Sequence, residues 1–327
     1  MKQIVMTGPR KSHVVEVPDP KITDDQLLVK ITYGGLCHSE LHPWSTAKAG
    51  NTLGHETVGV VVEVGKNVEG FKVGDRVTGL GVGGFQEYCS MLPCKTCHVP
   101  DNVKDEDAIV EPLACLLSGA IRMMPEKPGD PIAVVGCGYM GLGMISLFHL
   151  CGYGQIVAVD KRPEALENAR RFGATECYRP EELPPTYVLN WENIGRPDLT
   201  RKGRNERLFC MGFENVMEYT GTEDGLRLAG DMVRAHGRLG IGGYHNDAFR
   251  TIDYSLWNYK AFTSINCHER RIMYEASLCQ RCLDLLGSGR WRFTGVTKHI
   301  YAPEELDLGY ADMDTHRDNF IKGAVRF

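Results

Sequence analysis

A glycine-rich turn at Gly136–Gly141 constrains the fold of this chain more than any other feature of its sequence. A short apolar run typical of a buried strand precedes it, a run typical of a helix follows it, and a third run ends at Asp160. The first glycine allows a tight turn, the second lets a pyrophosphate approach the backbone, and the third lets the helix pack on the strand. Asp160 stands where an acid accepts hydrogen bonds from a ribose. The turn therefore predicts a strand–helix–strand unit that binds a dinucleotide.

Strand-like and helix-like segments alternate along the middle of the chain. The segments predicted as strands are Ile132–Val135, Gln155–Val159, Asn215–Tyr219 and Arg238–Gly242. The segments predicted as helices are Met140–Cys151, Pro163–Phe172, 224–234 and Ile272–Leu286. Because parallel strands need crossover connections, this alternation predicts an α/β fold with a doubly wound parallel sheet of the Rossmann type. The first third of the chain has short β-branched runs bounded by Gly or Asp, which predicts a β-rich domain.

Length, charge and cysteine content exclude several classes of protein. A chain of 327 residues is long enough for two domains, each with its own core. Its formal net charge of -5 gives no electrostatic basis for a nucleic-acid partner. Glycines interrupt the most apolar region, Ile132–Asp160, which argues against a membrane-spanning helix. The chain has twelve cysteines, and its N-terminus has no long apolar core. Both features fit a reducing compartment, so we expect a cytoplasmic protein with no membrane partner.

Three residues with metal-binding side chains stand in unusual surroundings. Cys37 follows Gly-Gly-Leu, His55 lies between Gly54 and Glu56, and Glu111 opens the segment Glu-Pro-Leu-Ala-Cys. Taken alone, a cysteine or a histidine is more often structural than a metal ligand. One thiolate, one imidazole and one carboxylate, however, make a three-ligand zinc shell with an open fourth position, the pattern of catalytic zinc. Zinc beside a nicotinamide dinucleotide indicates hydride transfer at an alcohol carbon.

Four further stretches are longer and more specific. They are Gly-His-Glu-x-x-Gly-x5-Gly-x-x-Val at Gly54–Val68, and the segments Gly34–Ser39, Val73–Val77 and Gly84–Tyr88. Together with the glycine turn they resemble the zinc-dependent medium-chain alcohol dehydrogenase family, in its sorbitol/threonine dehydrogenase-like branch. The resemblance covers essentially the whole chain. It implies a β-rich, GroES-like catalytic domain of residues 1–115 and 267–327, and an NAD-binding Rossmann domain of residues 116–266.

The resemblance also implies a ligand set. The family places its zinc ligands where Cys37, His55 and Glu111 stand, and liver-type alcohol dehydrogenases have a second cysteine at the third position. A glutamate there is similar to sorbitol, threonine and glucose dehydrogenases, which act on polyhydroxylated or amino-alcohol substrates. In some polyol dehydrogenases the glutamate next to the histidine, here Glu56, closes the shell instead. The sequence leaves both alternatives open.

The residues after Cys37 match the family's proton relay. The resemblance implies that the Ser39 hydroxyl meets the substrate alcohol and that His42 passes the proton towards water, a task suited to histidine because free imidazole titrates near neutral pH. Glu40 stands where the family has a carboxylate that orients the zinc-binding histidine. The alternative for His42 is an ordinary exposed histidine, and the alternative for Glu40 is a surface acid. For Trp44, the sequence favours a place in the substrate pocket and a place in the core equally.

NAD is the expected dinucleotide. The residues expected to contact it are Gly136, Gly138, Tyr139, Met140, Gly141, Asp160, Arg162, Thr220 and Gly242. The Asp160 carboxylate accepts hydrogen bonds from ribose hydroxyls and repels a 2′-phosphate, which favours NAD over NADP. Lys161 and Arg162 follow it directly and weaken that preference.

One zinc ion per chain is the second expected cofactor. Many family members carry a four-cysteine structural-zinc lobe, and this chain lacks it between Arg76 and Phe85. Two Cys-x-x-Cys pairs, at residues 94–97 and 279–282, lie too far apart in sequence for a zinc ribbon. We interpret them as structural thiols.

These features together predict a zinc-dependent oxidoreductase that transfers a hydride between NAD(H) and a secondary alcohol or ketone. A polyol, sugar or amino alcohol is the expected substrate, and a homodimer or homotetramer the expected assembly. Two alternatives stay open: a ketone or aldehyde reductase with the same residues, and a non-catalytic nucleotide-binding relative. The proline-rich, basic segment Pro180–Arg207 is predicted to be a solvated surface excursion.

Overall fold

The computed structural model describes residues 1–81, 83–199 and 203–327, and the chain divides into two compact units. One unit combines Met1–Cys115 with Arg270–Phe327, and we call it the split unit. The other consists of Leu116–Glu269, and we call it the continuous unit. Each unit has its own sheet and its own buried core.

The secondary-structure elements are numbered in chain order. The strands are β1 (Lys2–Gly8), β2 (Lys11–Glu16), β3 (Leu27–Gly35), β4 (Glu56–Val64), β5 (Arg76–Leu80), β6 (Tyr88–Met91), β7 (Thr96–His98), β8 (Pro131–Val135), β9 (Gln155–Val159), β10 (Glu176–Tyr178), β11 (Phe213–Glu218), β12 (Val233–Ile241), β13 (Thr263–Asn266), β14 (Thr297–Tyr301) and β15 (Lys322–Arg326). The helices are α1 (Leu41–Ser45), α2 (Val110–Arg122), α3 (Tyr139–Cys151), α4 (Pro163–Arg171), α5 (Trp191–Gly195), α6 (Arg204–Cys210), α7 (Glu223–Met232), α8 (Tyr254–Lys260), α9 (Ile272–Gly287) and α10 (Leu306–Asp314). Among the residues described, no helix is long and apolar enough to cross a membrane.

The continuous unit has a six-stranded parallel sheet in the order β10-β9-β8-β11-β12-β13. Counted within the unit, this is the doubly wound order 3-2-1-4-5-6, which reverses between its first and fourth strands. Strands β8 and β9 are apolar and buried along nearly their whole length, as expected where helices cover both faces. The predicted α/β fold class is confirmed. The glycine turn follows β8 at the reversal point, where ligands bind in such sheets.

One predicted boundary in this unit is wrong. The sequence predicts a helix over 224–234 and a strand from Arg238, but α7 ends at Met232 and β12 begins at Val233 without a loop. The pairing of β12 with β11 shifts its register in this stretch, and His236 has a φ angle of +57°. The irregular start breaks the period-two alternation on which the strand prediction depends.

Most described residues of the segment Pro180–Arg207 are exposed or half-buried, as predicted, but a few pack into the core. Its helix α5 places Ile194 in a buried apolar cluster of the continuous unit. Arg207 is only 5% exposed, and its Nε donates to the carbonyl oxygen of Ile194 at 3.1 Å. Residues 200–202, which include two of the bases of this segment, lie outside the described residues.

The split unit has a seven-stranded sheet in the order β14-β15-β3-β4-β5-β7, and β6 pairs with the first half of β3. Only β14 and β15 are parallel to each other, and the other pairs are antiparallel. The last strand, β15, lies between β14 and β3, so residues from both parts of the chain share this sheet. Gly34 of β3 faces Thr57 of β4, which brings the end of one strand beside the start of the other.

Candidate functional site

The ends of β3 and β4 bring Cys37, His55 and Glu56 together in the split unit. Cys37 follows β3 by two residues, His55 directly precedes β4, and Glu56 is the first residue of β4. The Cys37 sulfur, a ring nitrogen of His55 and a carboxylate oxygen of Glu56 all lie within 4.8 Å of one another. Zinc bonds of about 2.0 to 2.3 Å hold ligand atoms at comparable separations. The three side chains are therefore placed to share one metal ion.

Glu56 is the most deeply buried member of this group, with 1% exposure. Its Oε2 accepts a hydrogen bond from Lys322 Nζ at 2.5 Å, and the same ammonium donates to the carbonyl oxygen of Leu36 at 2.8 Å. Its Oε1 is buried and has no hydrogen-bond partner among the described residues. A β-carbon on Gly35 would lie 2.1 Å from Glu56 Oε2, so glycine is needed there to admit the carboxylate. A buried carboxylate oxygen without a donor is costly unless a cation satisfies it.

A second group of potential ligands consists of Glu111, Cys115 and Glu275. Glu111 and Cys115 are one turn apart on α2, and Glu275 lies in the first turn of α9. Ligand atoms of the three side chains lie within 4.8 Å of one another. The Cys115 thiol donates to Glu275 Oε1 at 2.9 Å and lies 3.9 Å from Glu111 Oε1. The structure thus groups Glu56, rather than Glu111, with Cys37 and His55.

The two groups are electrostatic neighbours. Burial and the charge of Glu56 raise the pKa of Glu111, the charge of His55 opposes them, and the net pKa is about 7. Glu275 also raises the pKa of Glu111, and Lys322 lowers it. Carboxylates and thiols therefore converge on one buried region of the split unit. The donor set of thiol, imidazole and carboxylate, with one carboxylate oxygen left without a partner, fits zinc.

Glu40 lies where it can orient His55. Its Oε1 lies 3.0 Å from His55 Nδ1 and accepts a hydrogen bond from the backbone N–H of Gly54 at 2.6 Å. Burial raises the pKa of Glu40, but the hydrogen bonds from His55 and Tyr310 outweigh it, so the pKa lies below its usual value. Glu40 is therefore an ionised acceptor at neutral pH, and a proton on His55 Nδ1 leaves Nε2 free for a metal.

The predicted relay residues lie on the segment after Cys37. The Ser39 hydroxyl is 3.1 Å from the Cys37 sulfur, which places it at the edge of the ligand group. The His42 side chain is exposed, and the carbonyl oxygen of His42 accepts hydrogen bonds from the next helical turn. Trp44 is 3% exposed and donates from Nε1 to Asp307 Oδ1 at 2.8 Å. Of its two possible roles, the structure gives Trp44 the core position.

The three glycines of the turn in the continuous unit are there for different structural reasons. Gly136 has a φ angle of +96°, which other residues rarely adopt. A β-carbon on Gly141 would lie 1.9 Å from the Gly136 carbonyl oxygen, so only glycine allows the helix to start there. A β-carbon on Gly138 would meet no atom within 4 Å. Packing therefore requires Gly136 and Gly141, whereas Gly138 leaves free space beside the N-terminus of α3. Tyr139 and Met140 open that helix and are half-buried.

Asp160 ties the end of β9 to the glycine turn. Its Oδ2 accepts from the backbone N–H of Cys137 at 2.8 Å, and its Oδ1 accepts from the backbone N–H of Arg162 at 2.9 Å. The Arg162 guanidinium also folds onto this carboxylate, with nitrogen–oxygen distances of 3.2 and 3.3 Å. Asp160, which is predicted to bind ribose, is thus ion-paired with Arg162, which is predicted to weaken the preference for NAD.

Thr220 and Gly242 meet at a buried acid that sequence reasoning missed. Glu218, at the end of β11, is fully buried, and its Oε1 accepts from the backbone N–H and the hydroxyl of Thr220, both at 2.6 Å. Its carbonyl oxygen accepts from Gly242 N–H at 2.9 Å, and its Oε2 lies 3.0 Å from His245 Nε2. Glu218 therefore fixes the two loops that follow β11 and β12.

The two Cys-x-x-Cys pairs meet in space although they are far apart in sequence. Gln280 on α9 exchanges hydrogen bonds with the backbone of His98, next to Cys97. Contact with the Cys279 thiol, together with burial, raises the pKa of Cys97 well above its usual value. Among the described residues, the groups of three ligands close enough for one metal are the two given above, and neither contains these cysteines. Cys97, Cys279 and Cys282 are buried, which is typical of structural thiols, whereas Cys94 is exposed.

Three members of the site escaped sequence reasoning: Lys322, Cys115 and Glu275. None of them stands in a recognisable motif with Cys37 or His55. Lys322 reaches Glu56 across 266 residues of sequence because β15 lies next to β3. The helix that carries Glu275 is predictable, but its packing partner is not. Sequence spacing carries no signal for contacts of this kind.

Comparisons with known proteins agree with this arrangement. Residues 23–101 match the family model described as the alcohol dehydrogenase GroES-like domain. Sorbitol dehydrogenase of Bacillus subtilis is 29% identical over 74% of this chain and 75% of its own length. D-arabinitol dehydrogenase 1 of Uromyces fabae is 26% identical over 93% of this chain and 91% of its own length. Alcohol dehydrogenase TADH from Thermus sp. ATN1 has a TM-score of 0.80 and 25% identity, covering 100% of this chain and 99% of that structure.

These comparisons support the predicted family, the zinc-dependent medium-chain alcohol and polyol dehydrogenases. The named relatives are dehydrogenases, which supports an enzyme, and their family supports a dinucleotide and a zinc cofactor. The glycine turn and the thiol–imidazole–carboxylate group are the parts of the chain suited to those two cofactors.

Proposed function

We propose that this protein is a dehydrogenase of polyols or amino alcohols that uses NAD and one catalytic zinc ion per chain. Cys37, His55 and a glutamate hold the zinc, and Glu56 is the preferred glutamate because its ligand atom groups with the other two. Glu111 is the alternative. The observation that carries the proposal is Glu56 Oε1, a buried carboxylate oxygen without a protein donor, beside a thiol and an imidazole.

When bound, zinc supplies a Lewis acid that lowers the pKa of a substrate alcohol. The side chains around it have separate tasks. Glu40 fixes the ring of His55, and Lys322 balances one oxygen of Glu56. The Ser39 hydroxyl, beside Cys37, would accept the alcohol proton as it releases its own towards His42, whose exposed ring would pass a proton to water.

In the continuous unit, the open space at Gly138 admits the cofactor pyrophosphate against the N-terminus of α3. Asp160 accepts the ribose hydroxyls, for which the Arg162 side chain must turn aside. The loops fixed by Glu218, with Thr220 and Gly242, contact the nicotinamide half. We accordingly propose a catalytic domain of residues 1–115 and 267–327 and an NAD-binding domain of residues 116–266. The second boundary lies three residues before the one between the two compact units.

Relatives support the substrate class. Sorbitol dehydrogenase, D-arabinitol dehydrogenase 1 and the D-xylulose reductase of Saccharomyces cerevisiae are among the proteins that this chain resembles. Reductases among the relatives favour a second candidate function, the reverse reaction on a ketose. The same residues serve both directions, and the ratio of oxidised to reduced cofactor decides between them.

The test is a substrate screen of the zinc-loaded protein. Polyols, inositols, sugars and amino alcohols are offered with NAD or NADP, and reduction is followed at the absorbance band of the reduced cofactor. We expect NAD reduction with at least one polyol or amino alcohol, lost with a chelator and restored by zinc. A folded, zinc-loaded protein that binds NAD but turns over no substrate in either direction would be a non-catalytic relative.

We also propose a cytoplasmic homodimer or homotetramer. The twelve cysteines are all free thiols, which fits a reducing compartment. Sedimentation analysis of the purified protein distinguishes two, four and one chain per particle. A monomer at micromolar concentration would refute the proposed assembly.

A further inference from the structure

The Glu40 carboxylate is held at both oxygens. It is 6% exposed, and its Oε1 faces the backbone N–H of Gly54 and the Nδ1 atom of His55. Its Oε2 accepts a hydrogen bond from the Tyr310 hydroxyl at 2.7 Å. A buried carboxylate needs donors on both oxygens to keep one orientation. Tyr310 is the donor that the structure gives to the oxygen facing away from His55.

Tyr310 is itself held firmly. It lies on α10, is fully buried, and reaches Glu40 across 270 residues of sequence. Its ring stacks on Trp44 at 5.5 Å and meets the edge of Phe85 at 6.4 Å. Close packing on both sides restricts the ring to a single position. The hydroxyl is therefore a fixed point on which Glu40 can be oriented.

We propose that Tyr310 is a positioning residue for the metal centre, which acts through Glu40 on the ring orientation and tautomer of His55. The proposal rests on the function proposed above only in that His55 is taken as a metal ligand. His55 needs such support because its side chain is 33% exposed and packing alone does not hold the ring. A proton kept on Nδ1 by Glu40 leaves Nε2 to bind a metal.

The substitution Tyr310→Phe removes the hydroxyl and keeps the packed ring. Glu40 Oε2 then loses its donor, and the carboxylate can turn away from His55. Partners of metal-binding histidines typically change metal affinity by about 10- to 100-fold, and a residue one step further out acts more weakly. We expect zinc to dissociate about 3- to 10-fold faster from Y310F than from the wild type.

The matched control is Tyr301→Phe. Tyr301 belongs to the same buried apolar cluster as Tyr310, is 6% exposed, and donates its hydroxyl to Asp312 at 2.9 Å. Its hydroxyl bonds Asp312 rather than Glu40, so Y301F removes a comparable hydroxyl without disturbing the support of His55. Zinc release into a chromophoric chelator is measured for the wild type and both variants, alongside their melting temperatures. Y301F should release zinc at the wild-type rate.

A double-mutant cycle shows whether Tyr310 acts through Glu40. In the background of Glu40→Gln, the effect of Tyr310→Phe on zinc release should largely disappear, because the carboxylate that it positions is gone. Additive effects of the two substitutions would overturn the proposal. Equal zinc release from wild type and Y310F, or equal acceleration in Y310F and Y301F, would overturn it as well.

A measurement that keeps the hydroxyl covers the case in which Y310F does not fold. Site-specific 3-fluorotyrosine at position 310 reports the hydrogen bond of the phenol by fluorine NMR. Its signal should shift in Glu40→Gln, and an unchanged signal would refute the link. None of these readouts depends on turnover, so a protein that oxidises no polyol can still confirm or refute the role of Tyr310.

Discussion

The proposed metal-binding group and the proposed nucleotide-binding glycine turn are built in opposite ways. The first is made of charged side chains from distant parts of the chain, such as Glu56 and Lys322, which are 266 residues apart. The second is made of backbone within six consecutive residues, anchored by one acid at the end of the next strand. The metal-binding group depends on the functional groups of its side chains. The glycine turn depends on the absence of β-carbons from its backbone. The comparison teaches that the two sites should fail in different ways.

The strongest test of this contrast is Cys37→Ala. Losing one ligand should remove zinc and lower turnover by about a thousandfold or more, because the metal contributes several kcal/mol to the reaction. The fold should persist, since the side chain becomes smaller. Zinc content by elemental analysis and turnover with the best substrate provide the measurement. Cys94→Ala, which alters an exposed thiol in the same unit, should keep one zinc and full activity. A second zinc that survives Cys37→Ala would implicate the Cys-x-x-Cys pairs.

The next test separates the two candidate carboxylates. If Glu56 completes the ligand set, Glu56→Gln should weaken zinc binding by about 10- to 100-fold, and Glu111→Gln should act less. Both variants keep the size of the side chain, so the packing around it should stay the same in the two proteins. Competition with a chelator at fixed pH gives the two affinities. The opposite order would assign the shell to Glu111 and make Glu56 its neighbour.

The glycine turn should respond to added atoms. Gly141→Ala forces a β-carbon against the Gly136 carbonyl oxygen and should destabilise the continuous unit by about 1 to 3 kcal/mol. Gly138→Ala meets no protein atom, so its melting temperature should stay unchanged while NAD binds about tenfold more weakly. Thermal unfolding and NAD titration measure both effects. Unaltered NAD binding in Gly138→Ala would show that the cofactor does not use this space.

The smallest expected effect concerns Asp160. Replacing it with Ser removes the charge that opposes a 2′-phosphate and frees the Arg162 guanidinium, which is folded onto it. We expect the preference for NAD over NADP to fall by about tenfold, measured as the ratio of kcat/KM values. Because Asp160 also bonds Cys137 N–H, some loss of affinity for both cofactors should accompany it. A wild-type enzyme that is faster with NADP would contradict the assignment directly.

The same contrast explains what the sequence could and could not predict. The strands around the glycine turn are local, and Gln155–Val159 has the predicted bounds. Cys37 and His55 were recognisable because each lies in a specific string next to a strand end. The grouping of Glu56 with them was left open, because it depends on how β3 and β4 pair and on a glycine that admits the carboxylate. Pairing across hundreds of residues decides such contacts, and local patterns do not encode it.

The central position of β15 sets an order of events during synthesis. The continuous unit can fold as soon as Glu269 has left the ribosome, whereas the sheet of the split unit lacks an inner strand until Lys322–Arg326 is made. At about 5 to 20 residues per second, Glu56 emerges roughly 10 to 50 s before its ammonium partner Lys322. Throughout that interval the second half of one edge of β3, at Tyr33–Gly35, lacks its partner strand, and the Glu56 carboxylate lacks its ammonium partner. A nascent chain thus passes through a stage with a complete continuous unit and an incomplete split unit, and Glu56 gains its ammonium partner only at the end of translation.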